Sequence, residues 1–99
     1  YDHCFVIDRP SLEVPFARVD EPASGRSLKA YTTSPAVQFY TGNFLNGIIG
    51  KNGSVYGKHS GFCLETEQYP DAPNRPDFPS CILEAGATRS DTTKYCFSA

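Results

Sequence analysis

The sequence predicts an all-β protein, on three observations. Eight prolines and eight glycines interrupt nearly every stretch long enough for a helix. Between them lie short runs in which apolar and polar residues alternate with the period of two that a half-buried strand needs. Turn-forming clusters such as Ser34-Pro35 and Gly50-Lys51-Asn52-Gly53 separate the runs.

Taken in order, His3 to Val6 is an apolar, strand-like run. Leu12, Val14 and Phe16 then alternate with Glu13, Pro15 and Ala17; Pro15 has no N–H for a ladder, so this strand belongs at an edge or carries a bulge. Leu28–Thr33 and Ala36–Thr41 follow as two strands about the Ser34-Pro35 bend. Phe44–Ile49 and Ser54–Tyr56 flank a turn in which Asn52-Gly53 is the strongest short hairpin signal. Asn52-Gly53-Ser54 also matches a glycosylation acceptor, but the turn explains it more simply. Gly61–Thr66 is the next strand, and the proline-rich Tyr69–Pro79 segment an irregular, extended loop. Thr92–Ser98 is the closing strand.

The chain has 99 residues, enough for one core, with 39% apolar and 13% aromatic residues. A formal net charge of −2 offers no basic surface for nucleic acid or an anionic membrane, and no run approaches the roughly 20 apolar residues of a membrane span. There is no methionine, so Tyr1 reads as the start of a processed or truncated piece of something longer. Four cysteines allow two disulfides, but Cys4, Cys63 and Cys96 sit inside apolar strand-like runs, which favours free thiols. Neither they nor His3 and His59 fall at the short spacings of a structural zinc site.

Alternation also sorts the polar side chains. Phe62 and Leu64 point one way and Cys63 and Glu65 the other; Val37 and Phe39 share one face, Gln38 and Tyr40 the opposite one. If those two strands are neighbours, a carboxylate, an amide and a phenol line a single sheet surface. Such a surface suits a sugar, whose hydroxyls bond to carboxylates and amides and whose C–H faces meet aromatic rings. A glutamate on the outer face of a strand is more often merely solvated, so the spacing alone does not make Glu65 catalytic.

Five blocks add to this picture: Asp2-His3-Cys4-Phe5; Ser24-Gly25-Arg26 with Leu28; Gln38-Phe39-Tyr40-Thr41-Gly42-Asn43-Phe44-Leu45; His59-Ser60-Gly61-Phe62-Cys63-Leu64-Glu65-Thr66; and Pro70-Asp71-Ala72-Pro73-Asn74. In this order, and with Gly86, Thr92-Thr93 and Tyr95-Cys96-Phe97 after them, they resemble the C-terminal blocks of the aldose 1-epimerase (galactose mutarotase) family. The resemblance implies that residues 1–99 are the C-terminal portion of a large antiparallel β-sandwich, incomplete by itself. It also implies a reaction, the interconversion of α and β anomers of aldoses such as galactose and glucose by acid–base ring opening, with no cofactor and no metal.

By position in those blocks, the family's base corresponds to Glu65, its sugar-binding aspartate to Asp2, and a glutamine that steadies the base or the sugar to Gln38. The family's general-acid histidine lies upstream of the Asp2 block, so His3 and His59 are not its equivalents and read as structural. Two departures stand out: Cys4 occupies a position where asparagine is usual, and Glu67 one where glutamine is usual, two residues from Glu65 on the same face. The partners implied are aldose sugars, together with the missing N-terminal part or a second copy joined through open sheet edges. The implied setting is cytoplasmic sugar metabolism. A noncatalytic sugar-binding remnant and an edge-strand interaction module are the alternatives.

Overall fold

The structure, a computed structural model, describes residues 1–99. It contains eight strands: β1 (Asp2–Val6), β2 (Ala17–Glu21), β3 (Arg26–Thr32), β4 (Ala36–Tyr40), β5 (Ile48–Ile49), β6 (Val55–Tyr56), β7 (Cys63–Glu67) and β8 (Thr93–Ser98). Helix is confined to two three-residue 3₁₀ turns, Lys51–Gly53 and Ala72–Asn74. The all-β class expected from the proline and glycine spacing is what the chain adopts.

All pairings are antiparallel, in two three-stranded sheets, β1-β4-β7 and β2-β3-β8, and a small β5-β6 hairpin. The bend at Ser34-Pro35 is where the chain leaves one sheet for the other. Thr32 and Ser34 are buried there, and the Ser34 N–H donates to Thr32 Oγ1 at 3.0 Å. The sheets are tied where β7 meets β8. Thr93 Oγ1 lies 2.6 Å from Thr66 Oγ1 and 3.1 Å from Thr32 Oγ1, and the Tyr95 hydroxyl donates to the Leu64 carbonyl at 2.6 Å.

The facing surfaces enclose an underfilled apolar space of about 660 Å³, lined by Phe5, Val37, Phe39 and Leu64 from one sheet and Ala17 and Val19 from the other. Only 7 of the 99 residues are buried, so the sandwich is not closed. Phe5, Phe62 and Phe97 stay largely exposed.

Two expectations are corrected, and one strand was not foreseen. Leu12–Phe16 is not a strand; Ser11 Oγ accepts from the N–H groups of Glu13 and Val14, drawing that backbone into a local turn, and only the single bridge Ser11–Thr32 remains. Pairing resumes after Pro15, in the unforeseen β2, where the Phe16 N–H reaches the Ala30 carbonyl at 2.9 Å. Phe44–Ile49 shrinks to Ile48–Ile49, because the N–H groups of Phe44 and Leu45 are taken by the Tyr40 hydroxyl and the Gly42 carbonyl. The Asn52-Gly53 turn forms as expected, with both residues at positive φ (55° and 76°).

Candidate functional site

The pleat of the β1-β4-β7 sheet divides its side chains. His3, Phe5, Val37, Phe39, Leu64 and Thr66 belong to the face turned toward the second sheet. Asp2, Cys4, Gln38, Tyr40, Cys63, Glu65 and Glu67 belong to the other. The strands of Gln38 and Glu65 are neighbours, and the register sets these residues directly opposite each other, with Cys4 opposite Gln38 on the far side. The next row is Asp2, Tyr40 and Cys63. Directly opposed residues on one face hold their Cβ atoms roughly 5 Å apart. A carboxylate, an amide, a phenol and a second carboxylate therefore occupy one patch two rows deep.

Within it, the Gln38 Nε2 amide donates to Asp2 Oδ1 at 2.7 Å, across the diagonal between rows. The sequence left open whether Gln38 would steady Glu65 or a sugar; in this structure it steadies Asp2. Asp2 and Glu65 are both exposed and acceptor-rich, suited to the hydroxyl groups of a polyol. No three His, Cys, Asp or Glu side chains are grouped to hold a metal ion.

One row further along, Glu67 stands opposite Ala36, which is fully buried. Glu67 lies close to Cys4 across β4: burial pushes the Cys4 thiol above its ordinary value, and the nearby Glu67 carboxylate adds to the rise. The other side of this contact is unfinished, since Glu67 Oε1 is buried without a hydrogen-bond partner. The two positions that depart from the family pattern are thus in contact. Their sequence separation hid this, and only the β1-β4-β7 strand order reveals it. All four cysteines are unpaired thiols.

The histidines lie outside the patch. His3 sits on the opposite face, among Tyr1 and Phe5, with ring centroids 6.3 Å away in each case. His59 is a loop pin: at φ 64° it donates from Nδ1 to the Thr41 carbonyl at 2.7 Å, while its N–H reaches the Gly42 carbonyl at 3.0 Å. That loop also carries Phe44, which sequence reasoning placed in a strand. The available signal was its position just after Thr41-Gly42-Asn43, where a turn ends the β4 ladder.

Comparison with known proteins agrees with the block order. The family model described as aldose 1-epimerase matches residues 1–96. Human galactose mutarotase is 56% identical over 100 residues, covering 99% of this chain and 29% of that protein. The rat protein of the same name is 52% identical over 99 residues, with the same coverage. Aldose 1-epimerase of Escherichia coli (strain K12) is 39% identical over 105 residues, covering all of this chain and 30% of its own length. The chain thus spans under a third of the length of these relatives, yet nearly all of it is matched, and it belongs to the aldose 1-epimerase family.

Proposed function

We propose that this chain is the C-terminal part of an aldose 1-epimerase and supplies the base and part of the sugar cradle for interconverting α and β anomers of aldoses such as galactose and glucose. The carrying observation is the shared face of β1, β4 and β7, on which Glu65 stands directly opposite Gln38 while Gln38 donates to Asp2 at 2.7 Å. Glu65 takes the proton of the anomeric hydroxyl, the ring opens to the aldehyde, and rotation about C1–C2 followed by reclosure inverts the anomer. Asp2, oriented by Gln38, accepts from a sugar hydroxyl. A positioned base contributes on the order of a hundredfold or more, provided it reaches the proton it removes.

Ring opening also requires an acid at the ring oxygen. His3 is on the wrong face and His59 Nδ1 is committed to Thr41, so neither supports that role. The acid belongs to the remaining portion of a family-length protein, and cytoplasmic sugar metabolism is the setting that follows. The test is the optical rotation of fresh α-D-galactose with the chain, with Glu65→Gln, and with either joined to the upstream portion of a relative. Acceleration by the joined wild-type chain that Glu65→Gln abolishes supports the assignment. Equal rates for the joined wild type and Glu65→Gln overturn it.

A further inference from the structure

Phe44 is 79% exposed, the most exposed large apolar side chain of the molecule, yet its backbone is held more firmly than its exposure suggests. The Tyr40 hydroxyl accepts its N–H at 2.9 Å, and the two rings stack with centroids 6.3 Å apart and planes 16° from parallel. The loop leading to it is fixed at each step. Thr41 Oγ1 donates to Asn43 Oδ1 at 3.0 Å, Asn43 Nδ2 donates to the Tyr1 carbonyl at 2.7 Å, and His59 clasps the carbonyls of Thr41 and Gly42. Gly42 is buried at φ 67°, and a Cβ there would lie 2.8 Å from the Gly61 carbonyl oxygen, so the loop packs closely against the segment that leads into β7.

Tyr40 belongs to the same face as Asp2, Gln38 and Glu65, and pairs directly with Asp2. The stacked Tyr40–Phe44 pair therefore forms an ordered aromatic flank to a row of hydroxyl-binding groups, while Phe5 and Phe39 of this sheet, with Phe62 beside Phe39, serve the opposite face. A ring left bare beside carboxylates and an amide matches one ligand class well, a pyranose, with hydroxyls along its edge and an apolar C–H surface.

We infer that Phe44, held by Tyr40, is a specificity-determining residue that stacks on the C–H face of the sugar and favours galactose over glucose. The inference rests on the proposed sugar site. In galactose the axial O4 clears one ring face, leaving the C3, C4 and C5 hydrogens as a continuous apolar patch. In glucose O4 is equatorial and that patch is less continuous, so an aromatic wall distinguishes the two where hydroxyl acceptors alone discriminate weakly.

The experiment joins the chain to the upstream portion of a relative and titrates D-galactose and D-glucose into the joined wild type, Phe44→Leu, Phe44→Trp and Gln38→Leu, reading binding by saturation-transfer NMR and folding by far-UV circular dichroism. Because these 99 residues contain no tryptophan, the fluorescence that Phe44→Trp adds to that of the joined wild type also reports contact with the sugar. The expected result is a preference for galactose in wild type, a roughly threefold to tenfold weaker galactose affinity in Phe44→Leu with the preference lost, and retained binding with a fluorescence change in Phe44→Trp. If Phe44→Leu binds both sugars as wild type does while Gln38→Leu is impaired, the role of Phe44 is overturned and the site stands. Absence of sugar binding by the folded joined wild type overturns both. If Phe44→Leu does not fold, a silent tryptophan in a sugar-binding Phe44→Trp chain overturns the role of Phe44 by itself.

Discussion

The Cys4 thiol lies against the Glu67 carboxylate across the middle strand of the β1-β4-β7 sheet, and one oxygen of that carboxylate, Oε1, is buried with no partner. Positions on the two outer strands, far apart in sequence, have thereby become one local unit whose members are best changed together. A buried acceptor left unpaired costs about 1–3 kcal/mol. Glu67→Gln removes the carboxylate's charge but leaves a polar atom at the same site, so it is expected to change stability by no more than about 1 kcal/mol, and Glu67→Gln with Cys4→Asn by an amount that differs from the sum of the single changes. Urea unfolding of the four proteins in the cycle measures this coupling, and strict additivity would contradict the contact.

Thiol chemistry gives a second check on the same contact. With the Cys4 thiol raised above its ordinary value, first by burial and then by Glu67, less of it is thiolate at neutral pH, and the thiolate is the nucleophile. Alkylation followed by peptide mass spectrometry should modify the exposed Cys63 and Cys96 before Cys4. Glu67→Gln should speed Cys4 several-fold without bringing it level with the exposed thiols, because burial, the larger cause, remains.

The turn joining β2 to β3 carries a pH dependence of known sign. Glu21 accepts from the N–H groups of Ala23 and Ser24, each at 2.8 Å, and from the Ser24 hydroxyl, and these bonds hold its carboxyl below the usual range. A carboxylate lowered in the folded state adds stability that is present above its unfolded value and disappears as pH falls through the folded one. Glu21→Gln should accordingly lower the thermal midpoint at pH 7. The gap from wild type should close only as pH falls through the lowered folded value, where Glu21 itself protonates.

Gly42 supplies a backbone test. At φ 67°, and with a Cβ position 2.8 Å from the Gly61 carbonyl oxygen, Gly42→Ala combines left-handed strain with a backbone clash. A loss of about 1–3 kcal/mol in chemical denaturation is expected. Gly25→Ala, also at positive φ but with nothing within 4 Å of its Cβ position, should cost less.

Gln38 separates stability from function. Its bond to Asp2 lies on the solvent side of the sheet, so Gln38→Leu should change unfolding free energy by no more than about 1 kcal/mol. On the proposed sugar site, affinity should nevertheless fall several-fold, because Asp2 is released from the orientation that its amide partner imposes. Calorimetric unfolding and sugar titration on the same samples check both.

The sequence by itself determined the all-β class, the strands around Leu28–Thr33, Ala36–Thr41, Gly61–Thr66 and Thr92–Ser98, and the sides on which Gln38, Tyr40 and Glu65 stand. Those features follow from local rules, the period of two and the positions of proline and glycine, which operate within a few residues. The ordered blocks that resemble the aldose 1-epimerases carried the family in the same way. Tertiary structure decided the rest. Leu12–Phe16 alternates like a strand, but Ser11 offered its backbone a nearer partner; β2, with little apolar content, became a strand because β3 lay ready to pair with it. Strand order brought Asp2 within 2.7 Å of Gln38 and Cys4 against Glu67, contacts separated by 36 and 63 positions along the chain. No local pattern encodes which strand lies beside which, because that choice is made by the apolar faces the sheets must share and by the chain reversals that permit it.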